Sequence, residues 1–122
     1  MGLLLVLFQQ HNLRQAPIDT QVGAIAQYTE IPEQTIRDII YCESGFNPTA
    51  VNKNKNGSTD HSLFQINSIH KKEMSGVGLD IKDPTDNLIY GAYLMSKDGL
   101  KHWNSSKACW AKQSIVKANI DT

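Results

Sequence analysis

The chain has 122 residues, a length that suits one domain with a single core. Its 12 Lys and Arg residues balance its 12 Asp and Glu residues, which leaves no basic excess for nucleic acid phosphates or anionic lipid. No apolar run approaches the roughly 20 residues that cross a bilayer, so we expect neither a nucleic acid partner nor stable membrane insertion.

Residues 1–17 are interpreted as an N-terminal arm, and residues 18–122 as the domain. The apolar run Gly2–Phe8 lies at the lower limit for the core of a secretion signal. No basic residue precedes it, and no small-residue cleavage site follows it. Two interpretations stay open: a helix or extended arm packed on the core, or the remnant of a signal.

The first helix of the domain is predicted from about Thr20 to Tyr28, with Asp19 or Thr20 as its N-cap. Pro32 then suits the first turn of a second helix, because its missing N–H has no partner there in any case.

The second helix carries the most informative local pattern. Ile36, Ile39 and Ile40 form an apolar stripe at spacings of i, i+3 and i+4. Glu43 takes the next position of that stripe, just before a helix end at Gly45. The sequence therefore places a carboxyl group on a buried helix face, where loss of solvation raises its pKa.

A small antiparallel hairpin is predicted between Val51 and Asn67. Asn56-Gly57 is a strong signal for a hairpin turn, and Ser58–Ile66 is interpreted as the strand that follows it. Asp60 lies on that strand. We expect it to stay ionised among neighbouring hydrogen-bond donors, namely Asn52, Ser58 and Thr59.

Three further helices complete the prediction. A short one follows a cap at Asn67 or Ser68 and runs through Met74. A longer one begins at Asp83-Pro84 and ends near Gly99, with one apolar face formed by Leu88, Gly91, Ala92 and Met95. The last spans about residues 106–119. The sum is an α+β fold, mostly helical with one hairpin.

The cysteines and histidines do not suggest a metal site. Cys42 and Cys109 form no CxxC pair, and His11, His61, His70 and His102 show no ligand spacing. The cysteine count alone leaves open two free thiols or one disulfide that closes a loop of about 70 residues.

Glu43 and Asp60 are the candidate catalytic pair. If the hairpin folds back against the helix, the two carboxyl groups face each other across a cleft with different pKa values, as glycoside hydrolysis requires. The alternative is structural: Glu43 would serve only at a helix end, and Asp60 would be a turn residue.

The segments around both carboxyl groups resemble the lysozyme superfamily. Glu43–Asn52 resembles its catalytic-glutamate motif, and Gly57–Ser68 resembles the catalytic hairpin of c-type lysozymes with the same spacing of 17 between Glu43 and Asp60. Asp83–Leu94 instead resembles bacterial soluble lytic transglycosylases (SLT domains). The resemblance covers about residues 20 to 110, and it implies a lysozyme-like fold whose hairpin flanks the cleft.

The resemblance also implies roles for individual residues. Glu43 would be the catalytic acid, and Asp60 the nucleophile or electrostatic stabiliser. The pairing of Cys42 with Cys109 would resemble one seen across c-type lysozymes and would hold the end of the helix that carries Glu43. Substrate contacts would come from Asn52, Gln65, Asn67, Tyr93 and Trp103.

Structural alternatives stay open for several of these residues. Gln65 could be a satisfied buried amide, Tyr93 could serve helix packing, and Trp103 or Trp110 could fill the core. The chain also departs from the c-type pattern after Ser68, where Ile69-His70-Lys71 stands in place of aromatic residues. The sugar subsites are therefore not carried over.

The implied function is a muramidase that cleaves the β-1,4 bond between N-acetylmuramic acid and N-acetylglucosamine in peptidoglycan. Asp60 favours hydrolysis, as in lysozyme. One alternative is lytic transglycosylation, which gives 1,6-anhydromuropeptides; another is a non-catalytic glycan-binding protein on the same fold. We expect a monomer without cofactor that acts on glycan strands outside the cytoplasm, as a secreted, periplasmic or virion-associated protein.

Overall fold

The computed structural model of the chain describes residues 1–10 and 12–113. It is mostly helical with one small antiparallel sheet, which confirms the predicted α+β class. The helices are α1 (Gly2–Gln10), α2 (Ile18–Thr29), α3 (Glu33–Ser44), α4 (Lys71–Gly76) and α5 (Pro84–Asp98). The strands are β1 (Val51–Lys53), β2 (Thr59–His61) and β3 (Ile66–Asn67). Short 3-10 helices cover Leu13–Gln15, Ser68–His70 and Lys101–Ser106.

In the N-terminal arm, α1 packs its Leu4 and Phe8 side chains into the core. This packing is the first of the two arrangements considered for the arm. The domain boundary at residue 18 and a derivation from a secretion signal stay predictions, and His11 lies outside the described residues. None of the described helices combines the length and apolar character needed to cross a membrane.

Both α2 and α3 begin directly after a proline. The predicted N-cap of α2 at Asp19 or Thr20 is wrong, because the helix already starts at Ile18 after Pro17. The fixed φ of proline prepares this start, and Asp19 lies in the first turn, where its charge favours the helix dipole. Pro32 is likewise the N-cap of α3 and not part of its first turn.

The later helix boundaries follow the sequence signals. The side chain of Asn67 caps the 3-10 helix before α4 by accepting a hydrogen bond from a backbone N–H. Asp83 caps α5 in the same way, with Pro84 at its first position, and α5 ends before Gly99. Residues 107–113 are helical, and the remainder of the helix predicted over 106–119 lies outside the described residues.

The sheet has three antiparallel strands in the order β1-β2-β3. Asn52 on β1 pairs with Asp60 on β2, and Asp60 pairs with Asn67 on β3. Because directly paired residues project their side chains from the same face of a sheet, these three polar side chains share one face.

The single strand predicted over Ser58–Ile66 is wrong, because the chain turns after β2. Ser62 and Gln65 have positive φ values of 63° and 54°, which reverse the chain into β3. Leu63 and Phe64 between them are both buried, whereas a strand with one face open to solvent would expose one of any two neighbours. Burial of two consecutive apolar side chains therefore favours this turn, the 62–65 turn, over a strand.

A fully buried amide fixes the 62–65 turn to α5, the central helix of the core. Nδ2 of Asn87 donates to the backbone carbonyls of His61 (2.9 Å) and Ile81 (3.1 Å). Its Oδ1 accepts the backbone N–H of Phe64 at 2.9 Å. Both N–H donors and the oxygen of this amide have partners within the protein, so its burial is compensated.

Phe64 packs directly on the backbone of α5 at Gly91. A Cβ atom at Gly91 would overlap the Phe64 ring, so only glycine leaves room for it. On its other side, Phe64 contacts Trp103, whose indole N–H donates to the Phe64 carbonyl at 3.0 Å. Phe64 thereby joins α5 to the 3-10 helix Lys101–Ser106, which carries Trp103.

Candidate active site

Glu43 lies in the last turn of α3, above a fully buried isoleucine stripe. Ile36, Ile39 and Ile40 are buried as predicted, and Glu43 at the end of the stripe is half-buried. The helix ends at Ser44, whose hydroxyl lies 2.8 Å from the carbonyl oxygen of Leu63. This contact joins the end of α3 to the 62–65 turn and fixes Glu43 at the edge of the hydrophobic core.

The carboxyl group of Glu43 has a raised pKa, as the sequence predicts. Burial is the main cause, and the negative charge of Asp60 adds to it. The hydroxyl of Ser106 opposes both by donating a hydrogen bond to Oε2 of Glu43 at 2.7 Å. Net stabilisation of the protonated form suits a general acid.

A disulfide bond lies directly beside this acid. Cys42 is bonded to Cys109 across 67 positions of sequence, which confirms the predicted pairing. The bond joins α3 to the helical residues 107–113 and so brings Ser106 to Glu43.

Asp60 accepts hydrogen bonds from two asparagine side chains. Nδ2 of Asn67 donates to Oδ1 at 2.8 Å, and Nδ2 of Asn54 donates to Oδ2 at 3.1 Å. The donors predicted for Asp60 are therefore wrong. Asn52 donates instead to Gln65. Ser58 accepts a hydrogen bond from Asn54, and Thr59 forms one with His61. Asn67 was expected to touch substrate, and here it holds Asp60.

Glu43 and Asp60 line one cleft of about 240 Å³ between the sheet and the C-terminal helical region. Its other lining residues are Asn54, Gln65, Ile66, Asn67, His70, Leu94, His102, Trp103 and Ser105. A larger groove of about 900 Å³ runs between α1, α2 and the start of α3 but contains neither member of the pair. The cleft brings together the two carboxyl groups that the sequence singles out.

The predicted substrate-contacting residues fall into two groups. Gln65, Asn67 and Trp103 line the cleft, whereas Asn52 and Tyr93 do not. The ring of Tyr93 packs against the ring of Tyr90 (5.6 Å between centroids) and lies 6.0 Å from Nζ of Lys97. Substrate contact by any of these residues stays a prediction.

Gln65 is a hydrogen-bonding brace within the sheet region. Its Nε2 donates to the carbonyls of Ser62 (2.9 Å) and Ala50 (3.2 Å), while its Oε1 accepts from Asn52 at 2.7 Å. Trp103 is almost fully buried, and so is Trp110, whose indole N–H donates to the Trp103 carbonyl. Both indoles therefore fill the core, and Trp103 also lines the cleft.

The sequence reasoning gave no site role to five polar residues of this region: Asn54, His70, His102 and Ser105, which line the cleft, and Ser106, which contacts Glu43. A signal for Ser106 exists. It lies three residues before Cys109, hence one helical turn away, while Glu43 directly follows Cys42. A pairing of the two cysteines therefore places Ser106 beside Glu43.

No group of three or more His, Cys, Asp or Glu side chains suited to hold a metal ion occurs within residues 1–10 and 12–113. The side chains that line the described cleft include two carboxyl groups, three amides, two imidazoles and one indole.

The transglycosylase SLT domain model matches residues 21–111. Protein IpgF of Shigella flexneri is 38% identical over 71 residues, which cover 55% of this chain and 47% of that protein. Invasion protein IagB of Salmonella typhimurium is 36% identical over 70 residues, or 54% of this chain and 44% of its own. Lysozyme c-1 of Anopheles gambiae is 41% identical over 51 residues, or 42% and 36%. The chain spans about half the length or less of these curated relatives.

Proposed function

Since the chain belongs to the transglycosylase SLT domain family, we propose that it cleaves peptidoglycan by lytic transglycosylation at the β-1,4 bond between N-acetylmuramic acid and N-acetylglucosamine. The observation that carries this proposal is Glu43, a half-buried carboxyl group with a raised pKa that lines a cleft of mostly polar side chains. Such a group holds its proton until a leaving oxygen takes it.

The reaction needs one residue that acts first as acid and then as base. Glu43 donates its proton to the glycosidic oxygen as the bond from the muramyl C1 to that oxygen breaks. The Glu43 carboxylate then accepts the proton of the muramyl C6 hydroxyl as its oxygen bonds to C1. No water is consumed, and the product carries a 1,6-anhydro ring.

Hydrolysis, which the sequence favours, is the second candidate. Asp60 lines the same cleft as Glu43 and interacts with it electrostatically. A carboxylate there can stabilise positive charge at C1 or bond to it until water completes the reaction. The family match over residues 21–111 favours transglycosylation over hydrolysis.

Mass spectrometry of the muropeptides released from purified peptidoglycan distinguishes the two chemistries. Transglycosylation gives products lighter by one water, which resist borohydride reduction. Hydrolysis gives free reducing ends, and a dominance of these would overturn the proposal. A digest that releases nothing would leave the glycan-binding alternative, provided that the protein still sediments with the peptidoglycan.

We further propose action outside the cytoplasm. The Cys42–Cys109 disulfide supports this, because such bonds persist in oxidising compartments. Peptidoglycan strands are the proposed partner, and a monomer suffices because both carboxyl groups of the cleft come from one chain.

A further inference from the structure

The cleft contains a histidine whose ring is anchored by a hydrogen-bonded relay through a buried tyrosine. Nδ1 of His70 lies 3.1 Å from the hydroxyl oxygen of Tyr90, and that hydroxyl donates to Oε1 of Glu73 at 3.0 Å. Tyr90 is fully buried in α5, Glu73 lies on α4, and His70 lines the cleft. None of the three has a part in the proposed chemistry.

Counting protons along the relay fixes the tautomer of His70. A tyrosine hydroxyl has one proton, and Tyr90 gives it to Glu73. Burial and the neighbouring Glu73 raise the pKa of Tyr90, so the hydroxyl keeps that proton in the physiological range. Its oxygen can then only accept from His70, and Nδ1 of His70 must carry the ring proton.

The other ring nitrogen of His70 is therefore a hydrogen-bond acceptor. In the neutral ring Nε2 holds a lone pair, and no described residue forms a hydrogen bond with it. Burial lowers the pKa of His70, and the nearby charges of His102 and Lys97 lower it further, while Glu73 opposes them. The neutral ring is thus favoured at neutral pH.

His102 supports this arrangement from the neighbouring segment. Its ring meets the His70 ring edge-on at 5.7 Å between centroids, and its Nε2 lies 2.8 Å from Oδ2 of Asp98. Because a carboxylate only accepts, Nε2 of His102 carries its proton there. The nearby His102 ring lowers the pKa of His70 and so also favours the neutral form of the His70 ring.

We propose that Nε2 of His70 is a substrate-binding acceptor, which takes a hydrogen bond from a hydroxyl or acetamido N–H of a sugar in the cleft. Tyr90 and Glu73 are positioning residues that set its tautomer. The inference rests on the proposed function for its ligand class, because glycan strands present many such donors. An anionic group of the substrate, such as a stem carboxylate, would instead accept a hydrogen bond from a protonated Nε2.

The first test is the tautomer itself, read from ¹⁵N NMR shifts of the His70 ring in the unliganded protein. We expect a protonated Nδ1 and an unprotonated Nε2. Tyr90→Phe keeps the buried ring but removes the relay, so the signal should move toward the Nε2-protonated form that free histidine prefers. Tyr28→Phe, on α2, is the matched control and should change nothing. A wild-type ring protonated at Nε2 would overturn the inference.

The second test is binding of tetra-N-acetylchitotetraose by titration calorimetry. His70→Ala should weaken binding about three- to tenfold, the loss of one hydrogen bond. His70→Gln, whose amide oxygen can accept, should recover part of that loss. Folding of each variant is checked by its melting temperature. Wild-type affinity in folded His70→Ala would overturn the proposal.

The pH dependence of binding separates the donor ligand from the anionic one. For a donor ligand, affinity falls as the pH drops and Nε2 gains a proton; for a carboxylate it rises. The titratable groups around His70 are Glu73 on α4, Tyr90 and Lys97 on α5, and His102, with Glu43 and Asp60 in the same cleft. His70→Gln should remove the part of the pH dependence of affinity that is due to His70 and leave the part that is due to the other groups.

Failure of the proposed function gives a different result from failure of this inference. If the tautomer and the oligosaccharide binding are as expected but wild type releases no muropeptides, the proposed reaction fails while the acceptor stands. If muropeptides are released and His70→Ala leaves both KM and oligosaccharide affinity unchanged, the acceptor role of His70 is refuted while the proposed reaction stands.

Discussion

The hydroxyl of Ser106 donates a 2.7 Å hydrogen bond to Oε2 of Glu43, although the two residues lie 63 positions apart. The Cys42–Cys109 disulfide closes the chain beside this contact. The hydrogen bond from Ser106 stabilises the ionised form of Glu43, whereas burial and the charge of Asp60 stabilise the protonated form. The pKa of the proposed acid therefore depends on a contact between α3 and the C-terminal region.

Removing this donor should shift the pH profile of the enzyme. In Ser106→Ala the pKa of Glu43 rises further, because the hydrogen bond that lowers it is gone. The protonated acid then persists to higher pH, and the alkaline limb of kcat/KM should move upward. Ser106→Thr keeps a hydroxyl and should retain most of the wild-type profile. A limb that stays in place in Ser106→Ala would separate the observed pH dependence from Glu43.

Glu43→Gln should abolish most activity and leave the fold intact. The amide keeps the shape and can accept from Ser106, but it cannot transfer a proton, so the rate should fall at least about 10²–10⁴-fold. Release of dye from stained cell walls measures the rate. Glu30→Gln, an exposed residue at the end of α2, is the matched control. Lysis by folded Glu43→Gln at a wild-type rate would refute the assignment.

The same substitution should change stability in a pH-dependent way. A carboxyl group with a raised folded-state pKa gives stability below its unfolded pKa, and this is lost as the pH rises through the folded value. At neutral pH wild type carries the cost of a partly buried charge. The melting temperature of Glu43→Gln should then equal or exceed that of wild type, with a smaller advantage near pH 4.

Asp60→Asn should have little effect on transglycosylation and a large effect on hydrolysis. If Glu43 acts alone, the variant keeps most of its rate, apart from the loss of one hydrogen bond to Asn54 or Asn67. If Asp60 stabilises the charge at C1, the rate falls about 10²–10⁴-fold. Muropeptide mass spectra from the variant and from wild type, measured on the same peptidoglycan, decide between these outcomes.

Removing the disulfide should lower stability and activity together. The Cys42→Ser/Cys109→Ser variant frees a loop of 67 positions, which costs about 4 kcal/mol on the chain-entropy model. Denaturant unfolding measures this loss. Activity should fall even where the variant remains folded, because the bond holds Ser106 and Glu43 together. Equal stability of the variant and of wild type would contradict a structural role.

Gly91→Ala should destabilise the fold despite the better helix propensity of alanine. That propensity gains at most about 1 kcal/mol, whereas the overlap with the Phe64 ring costs about 1–3 kcal/mol. Phe64→Leu makes room, so the double variant should be more stable than the two separate losses predict. A double-mutant cycle of unfolding free energies tests this coupling, and strict additivity would exclude the contact as its cause.

Local signals predicted much of the fold. Caps and prolines located α5 and the short helices after the sheet, and the isoleucine stripe placed Glu43 on a buried face. Such signals did not predict the 62–65 turn, which interrupts the strand predicted over residues 58–66. Its apolar run fits a strand and a buried turn equally well, and only contact with Asn87 and Gly91 favours the turn.

The sequence by itself determined that Glu43, the proposed acid, ends a buried isoleucine stripe 17 positions before Asp60, because helical periodicity acts within a few residues of chain. The tertiary structure decided which groups meet: Ser106 with Glu43, two asparagines with Asp60, and the Tyr90–Glu73 relay with His70. These contacts join residues from different elements. Because a hydrogen bond depends on atomic positions within a few tenths of an ångström, they follow from packing and leave no periodic trace in the chain.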